Sequence, residues 1–485
     1  MGVRFRAAIG VLMLAGVYVL ALSIVAGAAY GIYALAVSDL AGVIAGLLMF
    51  ALGGVALAVV RGLRQALAPA PVEPSGQLVT EDDAPELWAA VRALAAEVRT
   101  RAPDEIRLIP DVNAAVTENT RLLGLAAGHR TMYLGAPLML ALSVGQLRSV
   151  LAHELGHYSG SDTRLGTISY LGRGSLLHIG ARLSRWNPAS WLLLGYFFLF
   201  LLVTQAISRR QEFLADQFSV RVAGRDTAIS ALQEIPVAGA AYGAFLRSYL
   251  VLGLEQNMAP SSVMAGFREF LAARRGELAS LRADPEPEER SRWDSHPPIA
   301  ERVRALSALS ALEAGQSTGD DRQSTVLLGE TDRLLLGMEQ QAFDFGDRQV
   351  LDWDELIPAA AAAGARKFTS MLYTGAARLA GSHPAHLGTV LDLLASGRAE
   401  SLGTSVFAQG DELASLVGIA VETTVVASGA GRLRPSWAGP TELVALDGTR
   451  LDFAELVAKA VADRAAVADL RARLAELNVD VTAGK

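Results

Sequence analysis

Three long stretches of the chain contain apolar and small residues but no charged side chain. They run from Ala7 to Val37, from Ala41 to Val60 and from Trp186 to Ser208. About 20 apolar residues are enough to cross the hydrocarbon core of a bilayer, and only a short polar turn separates the first two stretches. The pattern therefore predicts a membrane-spanning helical hairpin over residues 1–62. A cleaved signal peptide is the alternative, but its apolar core is only about 7–15 residues long.

Charges beside these stretches predict their orientation. Two arginines precede the hairpin and two follow it, namely Arg4, Arg6, Arg61 and Arg64. Because basic flanks stay in the cytoplasm, we expect a multi-pass protein of the plasma membrane whose next domain is cytoplasmic.

A moderately apolar segment, 165–183, precedes the third stretch and could complete a second hairpin at about 164–208. It carries Arg173, and arginine at a helix centre costs about 2.5–3.5 kcal/mol, so whether it crosses fully stays open.

The rest of the chain alternates helical and extended patterns. Ser143 and Gln146 form a capping box that predicts the start of a helix reaching about Tyr158. Short strands are predicted at 106–109, 113–117 and 131–134. The polar segment 313–324 is predicted to be a linker, after which 325–485 forms a mostly helical C-terminal domain of unknown role.

Composition narrows the classes of function. Charged residues make up 19% of the chain and hydrophobic residues 51%, whereas soluble domains average about 25% charged. The net charge is -7, which excludes a basic surface for nucleic acid. The chain has no cysteine and only 7 histidines. A metal site would therefore have to be built from histidines and carboxylates.

One pentapeptide carries recognisable chemistry. Residues 153–157 read His-Glu-Leu-Gly-His, an HExxH motif within the predicted helix. Residues four apart lie on one face of a helix, so His153 and His157 can reach the same ion. Glu154 lies beside them, where it can accept a proton from a water molecule at that ion. A structural pair of histidines is the alternative reading.

A catalytic zinc site needs a third protein ligand and one open position. The candidates from the sequence are Asp162, His178, Glu212 and His296. Glu212 follows the third apolar stretch, and Asp216 lies one helical turn further on, where it could accept a hydrogen bond from a ligating imidazole.

Three motifs together resemble the HtpX and CAAX-prenyl-protease family of membrane zinc endopeptidases. They are HELGH at 153–157, EFLAD at 212–216 and SHPPIAER at 295–302. The resemblance implies a zincin-like α+β metallopeptidase domain with a small sheet at 75–308. It also implies a Zn²⁺ ion on His153, His157 and Glu212, with Glu154 as the base.

The same resemblance suggests roles for residues around the metal. Asn113, Ala114 and Ala115 are similar to the strand that binds substrate in that family, which usually has an aromatic residue after the first alanine. Asp162 falls where the family has an aspartate shortly after the second histidine.

Two residues of the SHPPIAER motif have more than one reading. His296 is expected to stabilise the developing oxyanion or, alternatively, to fix a helix start. Arg302 is expected to be a structural clamp or to pair with an aspartate or glutamate near the site.

The sequence therefore predicts a mainly α, membrane-integral protein. We expect a membrane-bound zinc metalloendopeptidase acting on polypeptides at the cytoplasmic face, with the lipid bilayer and membrane-protein substrates as partners and no nucleic acid. Quality control of membrane proteins is the role that the resemblance implies. A catalytically silent membrane scaffold and a metal-sensing protein are the alternatives.

Overall fold

The structure is a computed structural model that describes residues 3–38, 42–67, 75–121, 126–159, 188–284, 297–309, 319–381, 384–408 and 410–483. The described residues are mostly helical, with three small sheets. The segment 165–183 lies outside them.

The elements divide into those before and those after Phe343. The earlier helices are α1 Val3–Ala36, α2 Gly42–Leu67, α3 Pro85–Glu97, α4 Ala136–Ala141, α5 Val144–Gly156, α6 Pro188–Ala223, α7 Arg225–Phe245, α8 Val251–Glu255, α9 Val263–Ala273, α10 Arg275–Ala283, α11 Ile299–Ser307 and α12 Thr331–Ala342. The earlier strands are β1 Gln77–Val79, β2 Glu105–Ile109, β3 Ala114–Arg121, β4 Ala126–Gly135 and β5 Met258–Pro260. A π-helix, Leu246–Leu250, joins α7 to α8, and a 3-10 helix, Ser324–Leu328, precedes α12.

Beyond Phe343 the chain is again mostly helical. The helices are α13 Trp353–Ala380, α14 Leu387–Ala395, α15 Ala399–Ser405, α16 Asp411–Ala427, α17 Ala454–Ala462 and α18 Val467–Glu476, with a 3-10 turn at Arg464–Ala466. The strands are β6 Gln349–Leu351, β7 Gly431–Arg434 and β8 Glu442–Ala445.

The chain forms two compact units. The first contains Met1–Ala240 and Ala279–Phe343, and the second contains Ala241–Leu278 and Asp344–Lys485. Neither unit coincides with the ranges predicted from the sequence, 1–62, 75–308 and 325–485, and those domain assignments stay a prediction.

Three helices of the described chain are long and apolar enough to cross a membrane, over Val19–Ala36, Gly42–Arg61 and Arg225–Glu255. The first two correspond to the predicted hairpin. The third span was not predicted, and it is 44% buried within the protein. Helix α6 contains the apolar stretch that was predicted to end a second hairpin, and it packs along α1, where the Tyr196 hydroxyl donates to the carbonyl of Met13 at 2.6 Å.

A four-stranded sheet in the first unit has the order β1-β2-β4-β3. Strands β2 and β4 run parallel, whereas β1 and β3 are antiparallel to their neighbours. Among the described strands, β3 pairs with β4 alone and is therefore an edge strand. Gly135 allows the loop before β3 to approach closely, because a β-carbon there would lie 2.0 Å from the carbonyl oxygen of Asp111.

Residues 319–324 pack against the start of α5, so the prediction of a linker is wrong for this part of 313–324. The carbonyls of Arg322 and Asp320 accept hydrogen bonds from the amides of Val144 and Gly145 at 2.8 and 2.9 Å. The first amides of a helix have no partner within it. This segment supplies partners to two of those amides in α5.

The second unit has an aromatic centre and an aliphatic core. The aromatic side chains come from both of its segments and include Tyr249, Phe245, Phe270, Trp353 and Trp437. Leucine and valine residues of α14, α16 and α18 form the aliphatic core.

Candidate metal centre

The helix with the HExxH motif begins as the sequence predicts. Ser143 accepts a hydrogen bond from the amide of Gln146, whose side chain in turn accepts one from the amide of Ser143. Such a reciprocal cap satisfies two more donors at the helix start. The apolar side chains of Leu147 and Leu151 are buried. The helix is thus held at its start and along one face, which fixes where His153 and His157 lie.

Helix α6 supplies the carboxylates, and it lies unusually close to α5. A β-carbon at Gly156 would lie 2.8 Å from Cδ2 of Phe218 and 3.4 Å from Cα of Ala215. The Ser219 hydroxyl also donates to the carbonyl of Ser149 at 2.8 Å. The glycine of HELGH therefore permits the approach that brings Glu212 to the histidines.

Three side chains from these two helices converge. Nε2 of His153 lies 3.4 Å from Oε2 of Glu212, and Nε2 of His157 lies 3.7 Å from Oε1 of the same carboxylate. One ligand atom from each residue lies within 4.8 Å of the other two. Within the residues that the structure describes, no other group of this kind is found. Two imidazoles and a carboxylate at this spacing match the donor set of a catalytic zinc ion.

Asp216 and Arg302 lie directly behind His153. Oδ1 of Asp216 is 3.1 Å from Nδ1 of His153, so the imidazole can donate to this carboxylate while its Nε2 faces Glu212. Arg302, from α11, donates through Nε to Oδ2 of Asp216 at 2.9 Å and through Nη2 to Oδ1. Its Nη1 lies 3.8 Å from Oε2 of Glu212. All four residues are buried.

The buried charged groups at the site shift one another's pKa values. Burial alone would lower the pKa of His153, but its hydrogen bonds to Asp216 and Glu212 outweigh burial and raise that pKa to about 9. Burial would raise the pKa of Asp216, whereas its hydrogen bonds to Arg302 and His153 lower it overall. A ligating imidazole nitrogen must be unprotonated, so metal binding would displace a proton that His153 otherwise holds.

The structure describes some of the remaining predicted site residues but not others. Asn113 immediately precedes β3 and is exposed, and Ala114 and Ala115 begin that strand, half-buried. Asp162 and His296 lie outside the described residues. The roles of all these residues stay predictions.

Sequence reasoning missed the contribution of Tyr158. Its hydroxyl donates to the carbonyl of Val116 in β3 at 2.6 Å. Tyr158 directly follows His157, and that adjacency was the one signal that could have drawn attention to it.

The combination of a short sheet, an HExxH helix and a carboxylate from the next described helix is typical of a metallopeptidase. Residues 82–310 match the model of peptidase family M48. The resemblance to HtpX predicted from the three motifs is thereby confirmed.

Curated relatives named Protease HtpX homolog support the same assignment. The relative from Thermococcus sibiricus is 28% identical over 184 residues, which cover 33% of this chain and 59% of the relative. The relative from Gemmatimonas aurantiaca is 28% identical over 254 residues, 48% of this chain and 79% of the relative. The relative from Limosilactobacillus reuteri is 31% identical over 180 residues, 32% of this chain and 58% of the relative.

The chain spans 59% to 61% of the length of the Thermococcus and Pyrococcus relatives. No solved structure matches the chain significantly.

Proposed function

We propose that this protein is a membrane-bound zinc metalloendopeptidase that hydrolyses peptide bonds at the cytoplasmic face. The observation that carries the proposal is the convergence of His153, His157 and Glu212 within 4.8 Å, with Glu154 between the two histidines on the same helix. A scaffold without activity would have no need of a base at that position.

Zinc fits this donor set because three protein ligands leave one coordination position open. When bound there, zinc supplies a Lewis acid that makes water more acidic and polarises a carbonyl group. Asp216 accepts the Nδ1 proton of His153 and so orients its Nε2 toward the ion. Arg302 in turn holds Asp216.

Glu154 acts as the general base and then as the general acid. It accepts a proton from the attacking water, and it later delivers a proton to the leaving amine of the cleaved peptide. In this proposal, His296 donates a hydrogen bond to the oxyanion.

The substrate would be an extended polypeptide chain. Strand β3 lies at the edge of its sheet, and an edge strand can pair with an incoming peptide through main-chain hydrogen bonds. Asn113, Ala114 and Ala115 lie at the start of this edge. Their small or exposed side chains would leave room for a peptide backbone.

Two observations support a membrane location. Helices α1 and α2 each contain a span that is apolar and largely exposed, and exposed Tyr30 and Tyr33 lie near the end of α1, as aromatic residues do at a membrane interface. Basic residues flank the hairpin on its other side, which favours a cytoplasmic metal centre. Membrane-protein substrates and a quality-control role would follow from the likeness to proteins named HtpX.

The topology also requires an even number of crossings between His157 and Glu212, because both must reach one ion. Helix α6 packs against α1 near Met13, so its apolar half should cross beside α1. A second crossing would then lie within 164–187. Together with the hairpin at 1–62, these two segments would cross the plasma membrane four times.

Chelation tests the catalytic proposal. The purified protein in detergent should cleave an unfolded protein such as casein, lose that activity in a zinc chelator, and regain it with added zinc but not with magnesium. Activity that survives complete removal of zinc would contradict the proposal. A protein that binds zinc tightly but never cleaves would support the scaffold or metal-sensing alternatives.

Cysteine accessibility tests the topology, and the chain has no native cysteine to interfere. Cysteines replacing Ser161 and Gln211 should both react from the cytoplasmic side, and one replacing Asn187 should react from outside. Cytoplasmic labelling at Asn187 would contradict two full crossings. Labelling of Ser161 and Gln211 from opposite sides would contradict the metal centre itself.

A further inference from the structure

Phe407, in the second unit, combines a left-handed backbone with an almost fully exposed aromatic ring. Its φ is 55° and the residue is 96% exposed. It directly follows the C-terminal end of α15, where the amide of Ala408 donates to the carbonyl of Gly403 at 2.9 Å. The amide of Phe407 donates to the carbonyl of Thr404 at 3.4 Å. These two bonds form a Schellman motif, in which the left-handed position is usually occupied by glycine.

The phenylalanine side chain stabilises neither this turn nor the core. A β-carbon in the left-handed region crowds the neighbouring carbonyl, and glycine avoids that cost. The ring of Phe407 also buries almost none of its surface against the described part of the chain, so it gains little from the hydrophobic effect. Both considerations favour glycine at this position. The ring is therefore better explained by a contact outside the protein.

Helix α13 brings two more exposed apolar side chains to the same edge of the unit. A β-carbon at Gly375 would lie 2.6 Å from Cγ1 of Val406, so this turn of α13 packs against the residue that directly precedes Phe407. Met371 and Phe368 lie one and two turns before Gly375 along the same side of the helix, and both are exposed. Three exposed apolar side chains therefore lie along one edge.

The charged side chains of α13 near this edge are basic. The chain has no acidic residue between Glu355 and Asp392, whereas that interval contains Arg366, Lys367 and Arg378, all exposed. Lys367 and Arg378 lie beside the exposed apolar residues on the helix surface. Because the whole chain has a net charge of -7, this basic stretch is a local feature that favours an anionic partner.

We propose that this docking edge, defined by Phe368, Met371 and Phe407 with Lys367 and Arg378, binds the anionic surface of the bilayer that α1 and α2 span. Apolar and aromatic side chains enter the membrane interface, while lysine and arginine attract anionic headgroups. A bilayer also accepts a protruding ring without a pocket of complementary shape. The hairpin holds the chain at that membrane, which raises the effective concentration of the docking edge there. The inference rests on the proposed membrane location and is independent of the peptidase activity.

Nitroxide labels on single cysteines test the docking, because the chain has no native cysteine. The full-length protein is placed in lipid nanodiscs of phosphatidylcholine with or without phosphatidylglycerol. Labels on Phe407→Cys and Met371→Cys are then compared for their accessibility to oxygen and to a water-soluble nickel chelate. In anionic discs both labels should favour oxygen, which is concentrated in lipid. Lys367→Gln should lower the ratio of docked to undocked label by about fivefold, the effect of one cation at an anionic surface.

Leu446→Cys is the matched control for the label. Leu446 is also an exposed apolar residue of the second unit, but Asp447 follows it, and its label should favour the nickel chelate in every disc.

Phe407→Gly separates docking from folding. A label at position 371 in this variant should lose its preference for oxygen in anionic discs. The melting temperature should not fall, because glycine suits the left-handed turn.

Several results would contradict the docking. They are a label at position 407 that favours the nickel chelate in anionic discs, an unchanged docked ratio in Lys367→Gln, and a lower melting temperature for Phe407→Gly. Spin–spin broadening between labels at position 407 would indicate a second copy as the occupant, and shielding only after cytosolic protein is added would indicate a partner protein. A chain that stays soluble without lipid or detergent and does not enter the discs would instead contradict the membrane location.

Discussion

Arg302 shows how the site balances its buried charges. Two carboxylates, Asp216 and Glu212, lie beside His153 with little access to water. An unpaired charge in such a place costs several kcal/mol. The guanidinium satisfies Asp216 at two atoms and lies near Glu212. It thereby keeps Asp216 in position to orient His153.

We predict that Arg302→Met weakens zinc binding by about 10–100-fold, the usual cost of losing a group that orients a metal ligand. The methionine fills similar space but removes the guanidinium that pairs with Asp216. Competition with a chelator of known affinity measures the effect. Arg304→Met, on the same helix but with its guanidinium donating to the carbonyl of Ala300, is the control and should bind zinc as wild type does. Unchanged affinity in Arg302→Met would show that Asp216 needs no partner.

At the residue scale, the sequence was enough to predict those parts of the site that depend on the periodicity of an α-helix. In any α-helix, positions 153 and 157 lie on the same face. The spacing alone therefore predicts that these two histidines lie close together. Glu212 could be chosen over Asp162, His178 and His296 only through the family resemblance. The pairing of Arg302 with Asp216 joins side chains 86 positions apart, and no local pattern encodes such a contact.

Helix packing decides whether the ligands meet. Helix α6 contacts α5 through Phe218 and Ala215, directly over Gly156. The polar contact between Ser219 and Ser149 adds a fixed point along the same interface. The distance between these helices therefore determines the distance from Glu212 to both histidines.

Gly156→Ala should separate the two helices. Alanine favours a helix over glycine by about 1 kcal/mol, but overpacking at such a contact costs about 1–3 kcal/mol, so a net loss is expected. We predict a lower melting temperature and weaker zinc binding, measured on the same preparation. Gly239→Ala, in a helix with nothing within 4 Å of the added carbon, should be neutral or stabilising. A Gly156→Ala protein as stable as wild type would contradict the close packing.

At the element scale, the predicted start of α5 depends on a local signal, a capping box, and this capping box appears in the structure. The segment 319–324 was mistaken for linker because its role lies in backbone carbonyls that bond to Val144 and Gly145. A backbone carbonyl can accept a hydrogen bond whatever its side chain is, so such a contact leaves no pattern in the sequence. Its polar composition therefore suggested a loop and nothing more.

The two units share the part of the chain that matches family M48. Residues 241–278 lie inside the matched range 82–310, yet they fold with 344–485. Trp353 joins these segments, since its indole nitrogen donates to the carbonyl of Ser262 at 2.6 Å and its ring lies 5.5 Å from that of Phe245. The C-terminal residues are thus part of the packing of a family segment.

Trp353→Ala should therefore unfold more than the C-terminal helices. Truncation of a buried tryptophan costs about 3–5 kcal/mol, and we expect the 241–278 segment to lose its protection from hydrogen exchange together with 344–485. Phe407→Ala is the control, because Phe407 belongs to the same unit and is 96% exposed. If 241–278 stayed protected in Trp353→Ala, the second unit would not fold as one body.

Glu154→Gln tests the central claim most directly, since glutamine preserves the shape of the side chain but cannot accept a proton. The zinc content of the purified variant and its hydrolysis of casein should be measured beside wild type and His157→Ala. We expect Glu154→Gln to hold as much zinc as wild type and to lose about 10²–10⁴-fold in rate, whereas His157→Ala should lose both. Hydrolysis by Glu154→Gln at the wild-type rate would contradict the assignment of a zinc peptidase centre to these residues.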